Sequence, residues 1–430
     1  MSLRQAWWDR VLQLSYGRIF LISLVPRVAL LAYLYPDVLL GDAQYYWDEA
    51  IRISVGELPD VYWPPLLPLW LSGWARIFGP YNWVAALATL CLWAVFYLVF
   101  ARQSEENHST NKGLLILFSF YPAFVFQSIV PLSQLPMGLL ILLVVRVWRN
   151  GPHIYKTTLS GLMLGLAVLL RPGSLSIWPM LALMRPNGVE RWPRLQWLIP
   201  ASLWVLGWMF YVQLHTGQWI FVNQASSYNL FIGNHPDSPH YKNWWLGSHL
   251  AREDLQFETY YQTLDSIRGL PVLAQDQAFQ EVTWRYIRQE PGIFLRRSWN
   301  RLKVFWAFDS LAGASLSKFN PLLGLIVLGI DALLFLIVMG WVLRQILGQD
   351  SLGKQQISWL GLSFCYQIPY LLAFSHPSYH LPVLVILTVM PFSTPIRGWT
   401  NDRSGRLWLT AMALLLLIQA EWIWHMSGSL

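Results

Sequence analysis

Long apolar runs recur along the chain, at 17–36, 81–101, 113–130, 133–148, 157–184, 195–214, 321–346, 357–374, 379–396 and 406–425. A helix needs about 20 mostly apolar residues to cross the hydrocarbon core of a bilayer, and most of these runs come close to that. The run 157–184 is too long for one crossing and holds Arg171-Pro172-Gly173 at its middle. Proline ends a helix and glycine permits a turn, so this run reads as a hairpin of two short helices. The pattern therefore predicts an all-α polytopic membrane protein with about eleven transmembrane helices.

Charge fixes the orientation. Arg4, Arg10 and Arg18 precede the first run. Arg102 and Lys112 flank one short loop, and Arg146, Arg149 and Lys156 another. Arg185, Arg191 and Arg194 mark a third, Arg344 and Lys354 a fourth, and Arg397, Arg403 and Arg406 a fifth. With the hairpin counted, all of these loops fall on the side of the N-terminus. The bias of Lys and Arg toward cytoplasmic loops then puts the N-terminus in the cytoplasm and the C-terminus outside.

Two polar stretches face outward, 37–80 and 216–303. Neither reads as an independent domain, so 1–430 is taken as a single transmembrane domain. Within the first, 66–79 carries Pro68, Gly73 and Arg76 and reads as a helix lying in the membrane interface. Within the second, Leu273, Ala274, Phe279, Val282, Tyr286 and Ile287 recur at helical spacing over 273–290, and Pro291-Gly292 ends the pattern. There is no internal repeat.

Composition agrees with the pattern. Of 430 residues 55% are hydrophobic and 12% charged, where a soluble protein carries roughly a quarter charged. The 26 Trp and 19 Tyr suit aromatic belts at the two interfaces. The net charge of +7 is dispersed between apolar runs rather than gathered in a patch, which excludes nucleic acid as a partner. Cys91 and Cys365 lie far apart in apolar runs and define neither a redox compartment nor a metal site. The first run lacks a small-residue cleavage site and reads as a retained helix. The compact loops point to a bacterial inner or plasma membrane.

The candidate chemistry is concentrated after the first run, in Gly41-Asp42-Ala43-Gln44-Tyr45-Tyr46-Trp47-Asp48-Glu49-Ala50, followed by Tyr62-Trp63-Pro64-Pro65. Asp42 opens a helix that carries Tyr45, Tyr46 and Glu49 on the same face, at offsets of three, four and seven. Asp42 reads either as the N-cap of an interfacial helix or as a general base for an acceptor hydroxyl. Asp48 and Glu49 read as solvated or capping charges. The Trp63-Pro64-Pro65 turn is expected to hold the interfacial helix beside Asp42. Two other patterns lead nowhere. Gly348 to Lys354 has phosphate-loop spacing, but Gln355 follows where Ser or Thr is needed, and Asn107-His108-Ser109 is a glycosylation sequon on the cytoplasmic side.

Gly-Asp-x-x-Tyr-Tyr with Tyr62-Trp63-Pro64-Pro65-Leu66-Leu67-Pro68 resembles the first external loop of GT-C glycosyltransferases, most closely the protein O-mannosyltransferase and aminoarabinose transferase group. Weaker echoes follow in order. They are Tyr121-Pro122-Ala123 with Ser133-Gln134-Leu135-Pro136, Gly161 to Ala167 leading to Arg171-Pro172, Ile232-Gly233-Asn234, Gln289 to Phe294 leading to Arg301-Leu302-Lys303, and Ser378-Tyr379-His380. The resemblance implies a GT-C fold. It implies transfer of a sugar from a polyprenyl-phosphate donor to a hydroxyl of a lipid, glycan or protein on the external face, with Asp42 catalytic. Binding roles would then fall to Tyr45, Tyr46 and Glu49, and phosphate contacts to Arg171, Arg296, Arg297, Arg301 and Lys303. Arg171 is set apart, because an external arginine between apolar runs has no part in orientation.

The sequence departs from that family twice. Ala43 stands where many relatives carry Glu, which puts in question a divalent metal shared by neighbouring acids. Ser378 stands where many carry Arg, leaving a phosphate contact to His376 or His380, or to residues elsewhere. The expected groove runs between the Asp42 loop and 216–303, with Arg171 and Arg296–Lys303 on its rim. A lipid or sugar transporter, a flippase, and a non-catalytic scaffold subunit of the same fold are the alternatives.

Overall fold

The computed structural model describes residues 13–106, 110–149, 154–184, 196–247, 249–349, 352–390 and 402–427, and every regular element among them is a helix. Five of these helices are long and apolar enough to cross a membrane: Tyr16–Leu34, Asn82–Glu106, Leu198–Thr216, Pro321–Leu347 and Asp402–Ser427. The protein is thus an all-α membrane protein. Arg4, Arg10, Arg185, Arg191, Arg194, Arg397 and the sequon lie outside the described residues, as do the side chains of Arg149 and Arg403.

Two runs that look continuous in the sequence are broken, each at a proline. The run 113–130 is not one helix: Thr110–Phe120 stops and Pro122–Gln127 starts afresh. Pro122 has no N–H to continue the ladder and pushes Tyr121 into extended geometry, φ −67° and ψ 120°. The run 157–184 breaks at the expected place. Helix Ile154–Leu170 ends, Arg171 is extended, and a 3₁₀ turn over Pro172–Ile177 leads to the short helix Trp178–Leu183. In 379–396 the described part is a 3₁₀ turn, Pro377–His380, followed by helix Leu381–Thr388.

The bundle packs around aromatic rings. Phe118 and Phe124, on either side of the Tyr121 break, stand 4.9 Å apart and meet Phe96 and Phe100 of Asn82–Glu106. Gly161 and Gly165 lie against the Trp197 and Ala201 carbonyls, so helices Ile154–Leu170 and Leu198–Thr216 approach more closely than side chains would permit. Arg27, inside the first span, is fully buried. Its guanidinium donates to the Ser23 and Ser119 carbonyls at 2.6 and 2.8 Å and lies 3.8 Å over the Trp93 ring.

The polar stretch 216–303 is folded. Helices Ala225–Asn234, Glu258–Arg268 and Val272–Gln289 share an apolar cluster of their own around Phe231, Tyr260, Leu264 and Phe279. Val272–Gln289 matches the expected helix, and Pro291 begins the next one, Pro291–Phe305.

Candidate functional site

The first span hands over to the Asp42 helix, Asp42–Ser54, through Gly41 at φ 59° and ψ −129°. That backbone conformation is strained for any residue with a Cβ, which explains a glycine immediately before the acid. Gly41, not Asp42, is the N-cap, so the Asp42 carboxylate does not serve as the cap. It is left free to face a cavity. Trp63 and Pro64 line the same cavity, Trp63 with its ring 5.6 Å from that of Tyr46, and Pro65 opens helix Leu66–Phe78, which packs along the Asp42 helix.

The cavity has a volume of about 480 Å³. Asp42, Tyr46, Gln134, Arg171, Asn229 and Tyr379 give it polar and aromatic groups. Leu132, Leu170, Leu175, Pro369 and Phe374 make an apolar wall. Six separate stretches of chain therefore converge: the Asp42 helix, the Trp63-Pro64 turn, the start of Gln134–Arg149, the Arg171 corner, residues 221–229 into helix Ala225–Asn234, and the segment 369–379. Asp42 is open to the cavity but ringed by protein atoms, so its carboxylate is reachable and poorly solvated at once. Burial raises its pKa, and the positive charge of Arg171 pulls it back in part.

Arg171 is held in the cavity by its corner. Extended geometry before Pro172, φ −149° and ψ 103°, turns the side chain away from the helix that has just ended. The guanidinium lies 4.2 Å from the Tyr379 ring centre and 5.4 Å from that of Tyr370. Its Nη1 has no hydrogen-bond partner. Asp42 and Arg171 thus feel each other across the cavity without forming an ion pair.

Behind them runs a short relay. Gln134 Nε2 donates to Ser378 Oγ at 2.9 Å, and Ser378 Oγ lies 2.8 Å from His376 Nδ1. The Ser378 N–H also donates to that nitrogen, so Nδ1 is the acceptor of the ring. Burial, with Arg171 adding to it, pushes the His376 pKa down to about 3. His376 is therefore neutral and unsuited to replace a cation at a phosphate. Ser378, at the second family departure, holds the Gln134 amide in place. Ala43, at the first, is fully buried in the core. Among the described residues no group of three or more His, Cys, Asp or Glu side chains gathers to hold a metal.

The remaining candidates lie outside the cavity. Tyr45 is 61% exposed, its ring 6.1 Å from that of Trp63. Glu49 is turned to the following loop, where it accepts the Asp60 N–H at 2.5 Å and Arg52 Nη1 at 3.0 Å. Arg297 donates to the carbonyls of His235, Pro236 and Ser238. Arg301 donates to the Leu371 and Leu372 carbonyls, both at 2.7 Å, and to Gly233 O and Asn234 Oδ1. Lys303 pairs with Glu421 and with the Tyr241 hydroxyl. Arg296 is exposed on the surface. His380 is buried with its Nδ1 3.0 Å from the Phe305 carbonyl. The groove does run between the Asp42 loop and the 216–303 region, and Arg171 is on it. The Arg296–Lys303 cluster is not: its buried members are already committed to backbone oxygens and Glu421.

Sequence reasoning passed over Tyr370, Asn223 and Asn229 as cavity residues. Tyr370 sits one residue past Pro369 in an apolar run, where a phenol with nowhere obvious to point is the only signal. Comparison with protein-family models, with curated proteins and with solved structures finds no match to this chain. Fold and site define an all-α membrane protein in which, among the described residues, the Asp42 carboxylate and the Arg171 guanidinium face a common cavity.

Proposed function

We propose that the protein is a GT-C-type membrane glycosyltransferase that moves a sugar from a polyprenyl phosphate to a hydroxyl acceptor. In this reading about eleven segments cross the membrane, counting the shorter apolar helices, with the N-terminus cytoplasmic and the cavity on the external side. The observation that carries it is the cavity itself. A carboxylate and an arginine, neither paired with another protein charge, face one space with an apolar wall beside them.

The chemistry follows from those two groups. The acceptor oxygen attacks the anomeric carbon, and the bond from that carbon to the phosphate oxygen breaks. Asp42 takes the acceptor proton, for which its raised pKa suits it. The electron pair of the broken bond stays on the lipid phosphate, which Arg171 meets with a planar pair of donors. Leu132, Leu170 and Phe374 offer apolar surface to the start of a lipid chain. The order of sequence echoes of GT-C enzymes supports the same assignment, and the placement of Asp42 at the start of a helix that is not one of the long apolar ones weighs against a transporter.

The test is release of polyprenyl phosphate from a panel of polyprenyl-phosphate hexoses by the purified full-length protein, with crude membrane lipids supplying acceptors. The wild type should release it, and Asp42→Asn should lose about 10²- to 10⁴-fold in rate. Equal release by both proteins would remove Asp42 from the chemistry, and release by neither would return the fold to the transporter or scaffold readings.

A further inference from the structure

A second polar site lies in the body of the bundle, apart from the cavity. The span Pro321–Leu347 carries one acid, Asp331, 1% exposed. Asp309, in the turn before helix Leu311–Ser317, is equally buried. Asp331 Oδ2 accepts the Ala123 N–H at 3.0 Å. That N–H belongs to the first turn after the Tyr121-Pro122 break and has no acceptor within its own helix. Asp309 Oδ1 accepts the Leu311 N–H at 2.8 Å.

Three oxygens are left over. Asp331 Oδ1, Asp309 Oδ2 and the hydroxyl of the fully buried Tyr121 have no hydrogen-bond partner. They are neighbours: Tyr121 feels the charge of both carboxyls, and Asp331 feels that of Asp309. The Tyr121 hydroxyl stands beside Asp331, close enough to act on it but short of a completed hydrogen bond.

Among the described residues no cation answers this pair. From the first span, Arg27 is committed to the Ser23 and Ser119 carbonyls and the Trp93 ring. Lys318, past the end of Leu311–Ser317, is exposed. The C-terminal helix presents the neutral amide of Gln419, bonded to Phe308 N and Trp306 O. His380 packs on Phe335, one turn along from Asp331, and its Nδ1 is taken by Phe305 O. Two carboxylates without a counter-ion in a low-dielectric interior do not both ionise. Burial also raises the Asp309 pKa.

We propose that Asp309, Asp331 and Tyr121 form a proton-binding site, in which the two acids together retain one proton at neutral pH. The proton pins the Tyr121-Pro122 break against the long span. The chain that leaves this break reaches Leu132 and Gln134 in the cavity wall, so the proton steadies one side of the cavity. The inference is independent of what the cavity binds.

Infrared spectroscopy of the full-length protein in detergent tests it without an activity assay. The C=O stretch of a protonated carboxyl should be present in the wild type at neutral pH and missing from Asp309→Asn/Asp331→Asn, while Asp42→Asn keeps it. Asparagine preserves an acceptor for the Ala123 and Leu311 N–H groups, so the double variant should fold. Its Tm should hold steady above neutral pH, where the wild type's falls as the retained proton is lost. Identical bands in wild type and double variant would overturn the proposal. So would a wild-type Tm that rises when sodium replaces N-methylglucamine at constant ionic strength, since the site would then hold a metal cation instead.

Discussion

Arg171 and Arg301 look alike in the sequence, each an arginine beside apolar residues near the end of a helix, yet the structure uses them in opposite ways. Arg301 is 1% exposed, and its four contacts go to the ends of two helices, Ala225–Asn234 and Lys354–Leu372. Carbonyls at a helix C-terminus have no intrahelical donor and carry the negative end of the dipole. One guanidinium satisfies both ends and ties the 216–303 region to the segment that supplies Tyr370 and Tyr379. Arg171 touches rings instead of carbonyls, keeps an unpartnered Nη1, and faces a cavity. An arginine with both terminal nitrogens held by oxygens ties the fold together. An unsaturated one beside a carboxylate is available to a ligand.

The sharpest way to break that comparison is to truncate both. Arg301→Gln should leave several buried oxygens unanswered and cost on the order of 3 kcal/mol or more, read as a large drop in Tm or in folded yield. Arg171→Gln should leave Tm close to wild type while donor turnover falls about 10²- to 10³-fold, if it meets the leaving phosphate. Equal destabilisation by the two substitutions would erase the distinction. Gly233→Ala probes the same junction from the other side. A Cβ there would collide with the Ala373 carbonyl, which is backbone and has no room to yield. The expected loss is about 1–3 kcal/mol, with a raised KM because Ala373 and Phe374 line the cavity.

The pH profile sharpens the comparison further. A general base works only when ionised, so kcat/KM should rise with pH through the Asp42 pKa, and burial sets that pKa above the ordinary Asp value. Arg171 opposes the rise by favouring the carboxylate. Removing its charge should therefore move the acidic limb of the profile to higher pH, whereas Arg301→Gln should leave the limb where it is. An unmoved limb in Arg171→Gln would mean that the two groups do not share a site.

How much of this the sequence disclosed depends on the range of the interaction. Gly41-Asp42 opening a helix, Arg171-Pro172 closing one, and the Tyr121-Pro122 region inviting a break are all written in adjacent residues, although the hydropathy of 113–130 runs through its proline without interruption. Arg297 and Arg301 were not legible, because their acceptors lie about 60 to 70 positions away and are backbone carbonyls, which no residue pattern advertises. Asp331 and Arg27 are a different lesson. Each is an ionisable residue within an apolar run, the same criterion that set Arg171 apart, and both proved to be buried polar nodes. Gly233 and Asn234 belong to a motif whose use becomes clear only with the fold: the glycine lets the Ala373 carbonyl pass, and the asparagine receives Arg301.

The smallest effect belongs to Glu49, which shares a helix with Asp42 and separates position from role. Helical spacing put both acids on one face, but Glu49 is two turns further on and has reached the loop, where it takes the Asp60 N–H and Arg52. Arg52 is half exposed and also contacts Glu57, so the ion pair itself contributes little in water. Most of what Glu49 supplies is the acceptor for a backbone N–H, which a neutral amide oxygen can still provide. Glu49→Gln should therefore cost about 0.5–1 kcal/mol of stability, seen as a small fall in Tm. Donor turnover should stay within experimental error of wild type, in contrast to Asp42→Asn. A loss of turnover matching that of Asp42→Asn would mean that both acids serve the cavity, and that the loop contacts of Glu49 are secondary to a contact with substrate.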